Sequence, residues 1–214
     1  MKLLAQYDRK DYDPSYPRNI YNMVRALIIS DSKIALIYSP KYKLYLIPGG
    51  KIDAGETRID ALIRETREET GLVIKPDSIK EFGKITEIRK GLWEDEIFEQ
   101  HRFYYICGAE DVVVEQSLTE REREAGYRLE FLSLEQAILF NESTGIEWIE
   151  SETFVLKLLQ RRNPITEPRA RKPLAEILAA ARERGTWDGT PAEITAEDRE
   201  WLDTPSVGME EPHD

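Results

Sequence analysis

Residues Gly50–Leu72 read GKIDAGETRIDALIRETREETGL. Thr57 followed by Asp60 predicts a helix start in which a hydroxyl and a nearby carboxylate serve the first free N–H groups. Gly71 suits the left-handed residue just past a helix end. Between them Ile59, Leu62, Ile63 and Thr66 recur at i, i+3, i+4 and i+7, which predicts one buried stripe. At about 100° per residue, Glu65, Glu68 and Glu69 fall together on a different face. Like charges at this spacing repel and destabilise a helix. An acidic cluster alone reads as a solvated face; a glycine loop ahead of it and Glu56 and Arg64 at fixed offsets change that reading. Oxygen ligands in this number suit a hard cation, Mg²⁺ or Mn²⁺, rather than zinc, which prefers His and Cys. The chain has two histidines and one cysteine, which argues against a His/Cys centre. Because Mg²⁺ is commonly held by few carboxylates plus substrate phosphates, the pattern points to diphosphate chemistry.

Written as spacing, the stretch is G-x5-E-x7-R-E-x2-E-E-x-G. This resembles the signature of the Nudix hydrolase family, G-x5-E-x7-R-E-U-x-E-E-x-G-U with U a bulky aliphatic residue. Every glycine, glutamate and arginine is present; Thr66 replaces the first aliphatic residue and is close to valine in size. The resemblance covers about residues 20–160 and implies a Nudix-type α/β/α sandwich around a mixed β-sheet. It implies hydrolysis of a nucleoside diphosphate linked to another moiety, with Glu65, Glu68 and Glu69 as metal ligands and the Gly49 carbonyl as a further one. Arg64 would orient the glutamates and Glu56 would brace the loop. The family adds a base or outer metal ligand from a later loop, for which Leu118–Tyr127 offers Glu120, Glu122 and Glu124, the first two preferred. Arg25 and Lys51 are the candidate substrate contacts, with Arg89 and Arg102 weaker. His101 is expected to face solvent and Cys107 to sit in the core; Tyr104, Tyr105 and Trp93 are candidates for stacking on a base, although aromatic residues on strands more often belong to the core.

The net charge of −11 and pI near 4.9 argue against passive binding to nucleic acid or to an anionic membrane. No stretch approaches a membrane span, the opening residues lack a sustained apolar segment, and a single Cys107 forbids an intrachain disulfide. These features predict a cytoplasmic protein; the resemblance implies a small nucleotide-type molecule as its substrate.

Strands are expected at Met23–Ser30, Lys33–Ser39, Leu44–Ile47, Phe82–Ile88, His101–Cys107 and Tyr127–Leu132, with a short extended piece at Leu72–Ile74. Leu134–Phe140 and Ile149–Gln160 read as helices, and residues 1–20 as an irregular arm or a short edge strand. The domain is placed at 1–163, followed by an acidic, partly helical extension at 164–214. That extension carries six basic and twelve acidic residues and exposes Leu174, Ile177, Leu178, Trp187 and Trp201 on its expected helices.

Submotifs that sort the family's substrates are missing. Thr86-Glu87-Ile88 stands where ADP-ribose hydrolases carry a proline, and Ile88-Arg89-Lys90 where dinucleoside polyphosphate hydrolases carry a tyrosine. The array of NADH pyrophosphatases is not found. Elimination leaves a (d)NTP-like nucleotide first, with ADP-ribose or a nucleotide sugar as the alternative. A non-catalytic ligand-sensing Nudix protein would pair degraded glutamates with a winged helix, and neither is seen. An isoprenoid diphosphate isomerase would want a cysteine in its pocket, and Cys107 lies on an expected strand. Members of the family often dimerise, which leaves a homodimer open.

Overall fold

The apolar runs of the expected strands are realised as near-continuously buried strands in a mixed α/β fold. The computed structural model describes residues 1–92, 95–146 and 149–162. The extension expected at 164–214, its boundary at 163, and Trp93 lie outside the described residues. Two compact units emerge, one built from Met1–Leu27 and Gly49–Ser117, the other from Ile28–Pro48 and the described chain from Leu118 onward.

In the first unit, β1 (Leu3–Asp8) pairs in parallel with β6 (Lys80–Lys90), β6 pairs antiparallel with β7 (Ile97–Cys107), and β7 neighbours β2 (Arg18–Ser30). The sheet is therefore mixed, as expected. Its β6–β7 register runs from Lys84↔Phe103 to Lys90↔Ile97 without a slip. Strands β2 and β6 extend beyond their apolar cores into polar ends and β7 starts earlier, at the buried pair Ile97-Phe98, so the boundaries expected from sequence fall short. Helix α1 (Arg58–Thr70) leads into β5 (Leu72–Ile74), which pairs antiparallel with β8 (Ala109–Val113). Strand β8 is not among the expected strands, since AEDVV has neither alternation nor a buried side.

In the second unit, β3 (Lys33–Ser39) is the central strand. Its start receives the last residues of β2 across the turn Asp31-Ser32. Both turn residues have positive φ, 48° and 64°, the geometry a two-residue hairpin needs to match strand twist. Farther along, β3 pairs on that side with β4 (Leu44–Leu46) and on the other with β9 (Arg128–Leu132). A short helix, α2 (Glu120–Glu124), precedes β9, and α3 (Leu134–Thr144) and α4 (Glu150–Arg162) come after it. Tyr38, Tyr45 and Phe140 pack ring to ring, Tyr45 and Phe140 edge-on at 5.0 Å. Among the described residues no helix is long and apolar enough to cross a membrane.

Candidate active site

The caps of α1 form as the sequence predicts. Thr57 is the N-cap: its Oγ1 accepts the Asp60 N–H at 3.2 Å and its hydroxyl donates to the Asp60 carboxylate at 2.6 Å. Gly71 closes the helix at φ 74°, donating to the Arg67 carbonyl at 2.8 Å. A Cβ there would stand 2.1 Å from the Val114 carbonyl oxygen, so the position tolerates glycine alone.

Between the caps, the buried face differs from the expected stripe. Ile59 is exposed and Ile63 only half-buried, whereas Ala61, Leu62, Glu65, Thr66, Glu69 and Thr70 are buried. Two of the three glutamates thus share the inward face, and Glu68 alone stays half-exposed. The reason is that each buried carboxylate is met by a partner outside its own apolar neighbours. Glu69 accepts the Gly49 N–H at 2.7 Å. Glu65 accepts from Arg64 at 2.8 Å and lies so close to Gly50 that a Cβ there would fall 2.2 Å from its Oε2. Apolar periodicity cannot see such pairings, because they join the helix to the loop before it.

Arg64 is the hub. Its Nε and Nη2 reach the two carboxylate oxygens of Glu56, each at 2.9 Å, in a fork that only a guanidinium supplies. Its Nη1 donates to Glu65 at 2.8 Å and to Glu68 at 3.2 Å, and its Nη2 to the Lys51 carbonyl at 3.1 Å. Hydrogen bonding to Glu56 raises the guanidinium pKa, and the same bonds hold the Glu56 carboxyl below its ordinary value. Glu65 moves the other way. Burial pushes its carboxyl up to about 7, against the pull of Arg64 and with added repulsion from Glu68.

The glycine loop is held from β2. The Val24 N–H donates to the Gly50 carbonyl at 2.9 Å, the Ile52 N–H to the Asn22 carbonyl at 3.0 Å, and Met23 bridges Lys51. Gly49 adopts φ 133°, and a Cβ on it would sit 2.2 Å from the Val24 carbonyl oxygen. Its own carbonyl accepts a bond from the Arg25 guanidinium. Beyond the box, a connection with no sequence signal caps the far end of α1. The Gln116 amide donates to the Glu69 carbonyl and the Ser117 N–H to the Glu68 carbonyl, the latter at 2.8 Å.

The first unit therefore gathers Gly49, Glu56, Arg64, Glu65, Glu68, Glu69 and Arg25, while Lys51 contributes its backbone. Glu120 and Glu122 lie in the second unit on α2. Glu122 is buried and engaged in its helix's own capping box: its carboxylate accepts the Thr119 N–H at 2.7 Å. The Thr119-x-x-Glu122 spacing is a legible signal for that cap. Arg102 bonds Glu87 and Gln100, and Arg89 lies over the Phe98 ring at 4.0 Å, so both arginines sit in a buried cluster between β6 and β7. His101 does not face solvent. It stands in mid-strand, half-buried, 3.1 Å from Thr86 Oγ1 and 3.0 Å from Glu99, and burial lowers its pKa. Tyr104, Tyr105 and Cys107 are buried, as expected, and burial pushes the Cys107 thiol up to about 12.

The donor set fits a hard divalent cation: carboxylate oxygens packed against glycine backbone, one of them on a group whose negative charge burial disfavours. Glu65 and Glu68 would hold it, with Glu69 and the Gly49 carbonyl, whose second lone pair is left after the Arg25 bond. Among the described residues no three carboxylate, imidazole or thiol groups already stand at metal-binding separation.

A model of the NUDIX domain matches residues 21–151. Over 61 residues the chain is 34% identical to the "Uncharacterized Nudix hydrolase YvcI" of Bacillus subtilis, covering 28% of this chain and 39% of that protein. Over 59 residues it is 41% identical to the "ADP-ribose pyrophosphatase" of Methanocaldococcus jannaschii, covering 26% and 35%. The matched stretches thus span about two fifths or less of these curated relatives. Among solved structures, the "mMutator MutT protein" of Bacillus halodurans overlays with a TM-score of 0.49 at 20% identity, covering 64% of this chain and 80% of that one. A NUDIX hydrolase of Nitrosomonas europaea overlays with a TM-score of 0.49 at 19% identity, covering 66% and 90%.

Proposed function

The chain belongs to the Nudix family, and on that premise we propose that it is a divalent-metal-dependent pyrophosphohydrolase acting on a nucleoside diphosphate linked to another moiety. The observation that carries this reading is the single guanidinium of Arg64 holding Glu56, Glu65 and Glu68 within 3.2 Å, beside a Gly49 loop tied to Glu69. Such an arrangement keeps like charges together that would otherwise separate; Arg64 offsets part of that cost and a divalent cation would offset more. When bound, Mg²⁺ (or Mn²⁺), held by Glu65, Glu68, Glu69 and the Gly49 carbonyl, would supply acidification of the attacking water and positive charge against the leaving phosphate.

This chain's own residues do the rest. Arg64 holds Glu65 and Glu68 in register, and Glu69 fixes the peptide that presents the Gly49 carbonyl. Arg25, on the strand that carries the loop, and Lys51 supply positive charge to the phosphates. One of the box glutamates, or Glu120 or Glu122, takes the proton from water.

A (d)NTP-like nucleotide is the leading substrate because the submotifs of the other classes are missing. ADP-ribose is the second reading, supported by the activity for which the M. jannaschii relative is named. The same reading has the protein cytoplasmic, acting on a small molecule and not on nucleic acid, with a homodimer as the assembly to look for.

The test is phosphate release, coupled to a phosphatase or pyrophosphatase, over a nucleotide panel with Mg²⁺ or Mn²⁺, for wild type and Glu69→Gln. Turnover of one class that needs metal and is lost in the variant supports the proposal. Tight binding of a nucleotide without turnover by the wild type replaces it with a ligand-sensing role.

A further inference from the structure

An α-helix leaves the carbonyls of its last four residues without a helical partner. In α1 these belong to Arg67, Glu68, Glu69 and Thr70, so two of them sit on residues whose carboxylates face the proposed metal. This turn is also the least favoured part of the helix electrostatically. Glu65, Glu68 and Glu69 crowd the C-terminal half, where the helix dipole is negative and like charges three and four residues apart repel. Arg64 holds the side chains of Glu65 and Glu68. The backbone of the turn needs partners of its own.

They come from a segment of the same compact unit, 47 residues along the chain from Glu69. The Ser117 N–H donates to the Glu68 carbonyl at 2.8 Å, and the Gln116 side-chain amide donates to the Glu69 carbonyl. The segment is anchored where α1 ends. The Val114 N–H donates to the Gly71 carbonyl at 2.8 Å, directly after the Leu72↔Val113 pair of β5 and β8. Val114–Ser117 is thus a strap across the last turn of α1. Two of its three donors are backbone N–H groups, which any residue but proline supplies. The third is a side chain, and its target is the residue with most to fix. Glu69 is gripped at its carbonyl by Gln116 and, through its carboxylate, at 2.7 Å from the Gly49 N–H. How tightly this turn is wound therefore decides where the Glu69 carboxylate and the Gly49 peptide stand.

We propose that Gln116 is a positioning residue: by holding the Glu69 carbonyl it keeps the acidic last turn of α1 wound, and so sets the placement of Glu69 and of the Gly49 peptide bonded to it. The effect on the turn is independent of the hydrolase reading; its consequence for metal affinity rests on that reading.

The experiment uses the full chain, metal-free, at about pH 8, where imidazole is neutral. The variants are Gln116→Met (similar length, no donor), Gln116→His (a ring N–H in place of the amide) and Ser117→Ala, a control that keeps its backbone donor. Amide hydrogen exchange is read by NMR at Gly49, Leu62, Glu69 and Thr70, urea unfolding supplies the global stability, and Mn²⁺ affinity is read by calorimetry. In Gln116→Met, exchange at Gly49, Glu69 and Thr70 is expected about fivefold faster than the loss of global stability accounts for, the worth of one hydrogen bond. Leu62, in the middle of α1, follows the global stability alone. Mn²⁺ affinity falls by a similar factor, Gln116→His restores both readouts, and Ser117→Ala changes neither. The proposal is overturned if Glu69 and Gly49 move only in step with Leu62, if Mn²⁺ affinity is unchanged while the turn frays, or if Gln116→His behaves like Gln116→Met. If Gln116→Met does not fold, Gln116→Asn, which withdraws the amide by one methylene, is judged by the same criteria. A wild type that binds no Mn²⁺ and cleaves no nucleotide removes the hydrolase reading, and the positioning role then stands or falls on exchange at Glu69 and Gly49.

Discussion

Glu65→Gln should stabilise the metal-free protein relative to wild type, and increasingly so as pH rises. In the fold, burial pushes the Glu65 carboxyl up to about 7 from an ordinary 4.5. Between those values the folded chain holds a proton that the unfolded chain has released, so its stability falls as pH rises. The loss begins near pH 4.5 and is complete just above pH 7. At about 1.4 kcal/mol for each pH unit of separation, the full penalty is about 3 kcal/mol, of which about 2.5 kcal/mol accrues between pH 5 and pH 8. Glutamine keeps the shape and cannot ionise. The pull of Arg64 on the ionised carboxylate is already part of the value near 7, and the fixed difference between glutamine and a protonated glutamate at this bond is the same at every pH and cancels in the comparison. The assay is urea unfolding of both proteins in EDTA at pH 5, 6, 7 and 8, with the difference in unfolding free energy plotted against pH. A rise of about 2–3 kcal/mol in favour of the glutamine variant is expected. A flat line, or one that falls, would refute the claim that desolvation outweighs Arg64 at this carboxylate.

Three further outcomes rest on the geometry. Arg64→Ala should cost about 3 kcal/mol in urea unfolding, because it strips a fork from Glu56 and strands Glu65; Arg64→Lys should recover only part, since an ammonium cannot make the bidentate contact. Gly49→Ala should reduce Mn²⁺ affinity by more than tenfold and destabilise by about 3 kcal/mol, as strain and a backbone clash combine. Gly55→Ala is the control: φ is 82°, but nothing lies within 4 Å of the added Cβ, so a loss of only about 1 kcal/mol with metal affinity intact is expected in the same titrations. Glu122→Ala should lower thermal stability by about 1 kcal/mol through loss of the α2 capping box. If kcat on the substrate identified by the nucleotide panel also falls more than a hundredfold, Glu122 acts in chemistry as well as in the cap.

Much of the fold and site is legible in the sequence because the deciding interactions are local. Thr57, Asp60 and Gly71 announce the ends of α1 through chemistry that acts within four residues, and the Gly50–Leu72 spacing carries its own three-dimensional meaning. The buried face of α1 escapes the apolar pattern for the opposite reason. Glu65 and Glu69 turn inward because of Gly50 and Gly49, and a hydrophobic pattern scores carboxylates as solvent-facing whatever waits for them. Strand β8 gives no signal because AEDVV has no alternation and forms by pairing to β5.

The hold that β2 has on the glycine loop bears on protein engineering. Met23 bridges Lys51, Val24 bonds the Gly50 carbonyl and packs its own carbonyl where a Gly49 side chain would go, and Arg25 caps the Gly49 carbonyl. The portable module is therefore not the 23 consecutive residues of the signature. A graft of Gly50–Leu72 onto a foreign scaffold would carry the carboxylates and leave behind the rail that aligns them. The smallest transplant worth attempting joins Gly49–Leu72 to Asn22–Arg25, two segments that are distant along the chain and inseparable in use.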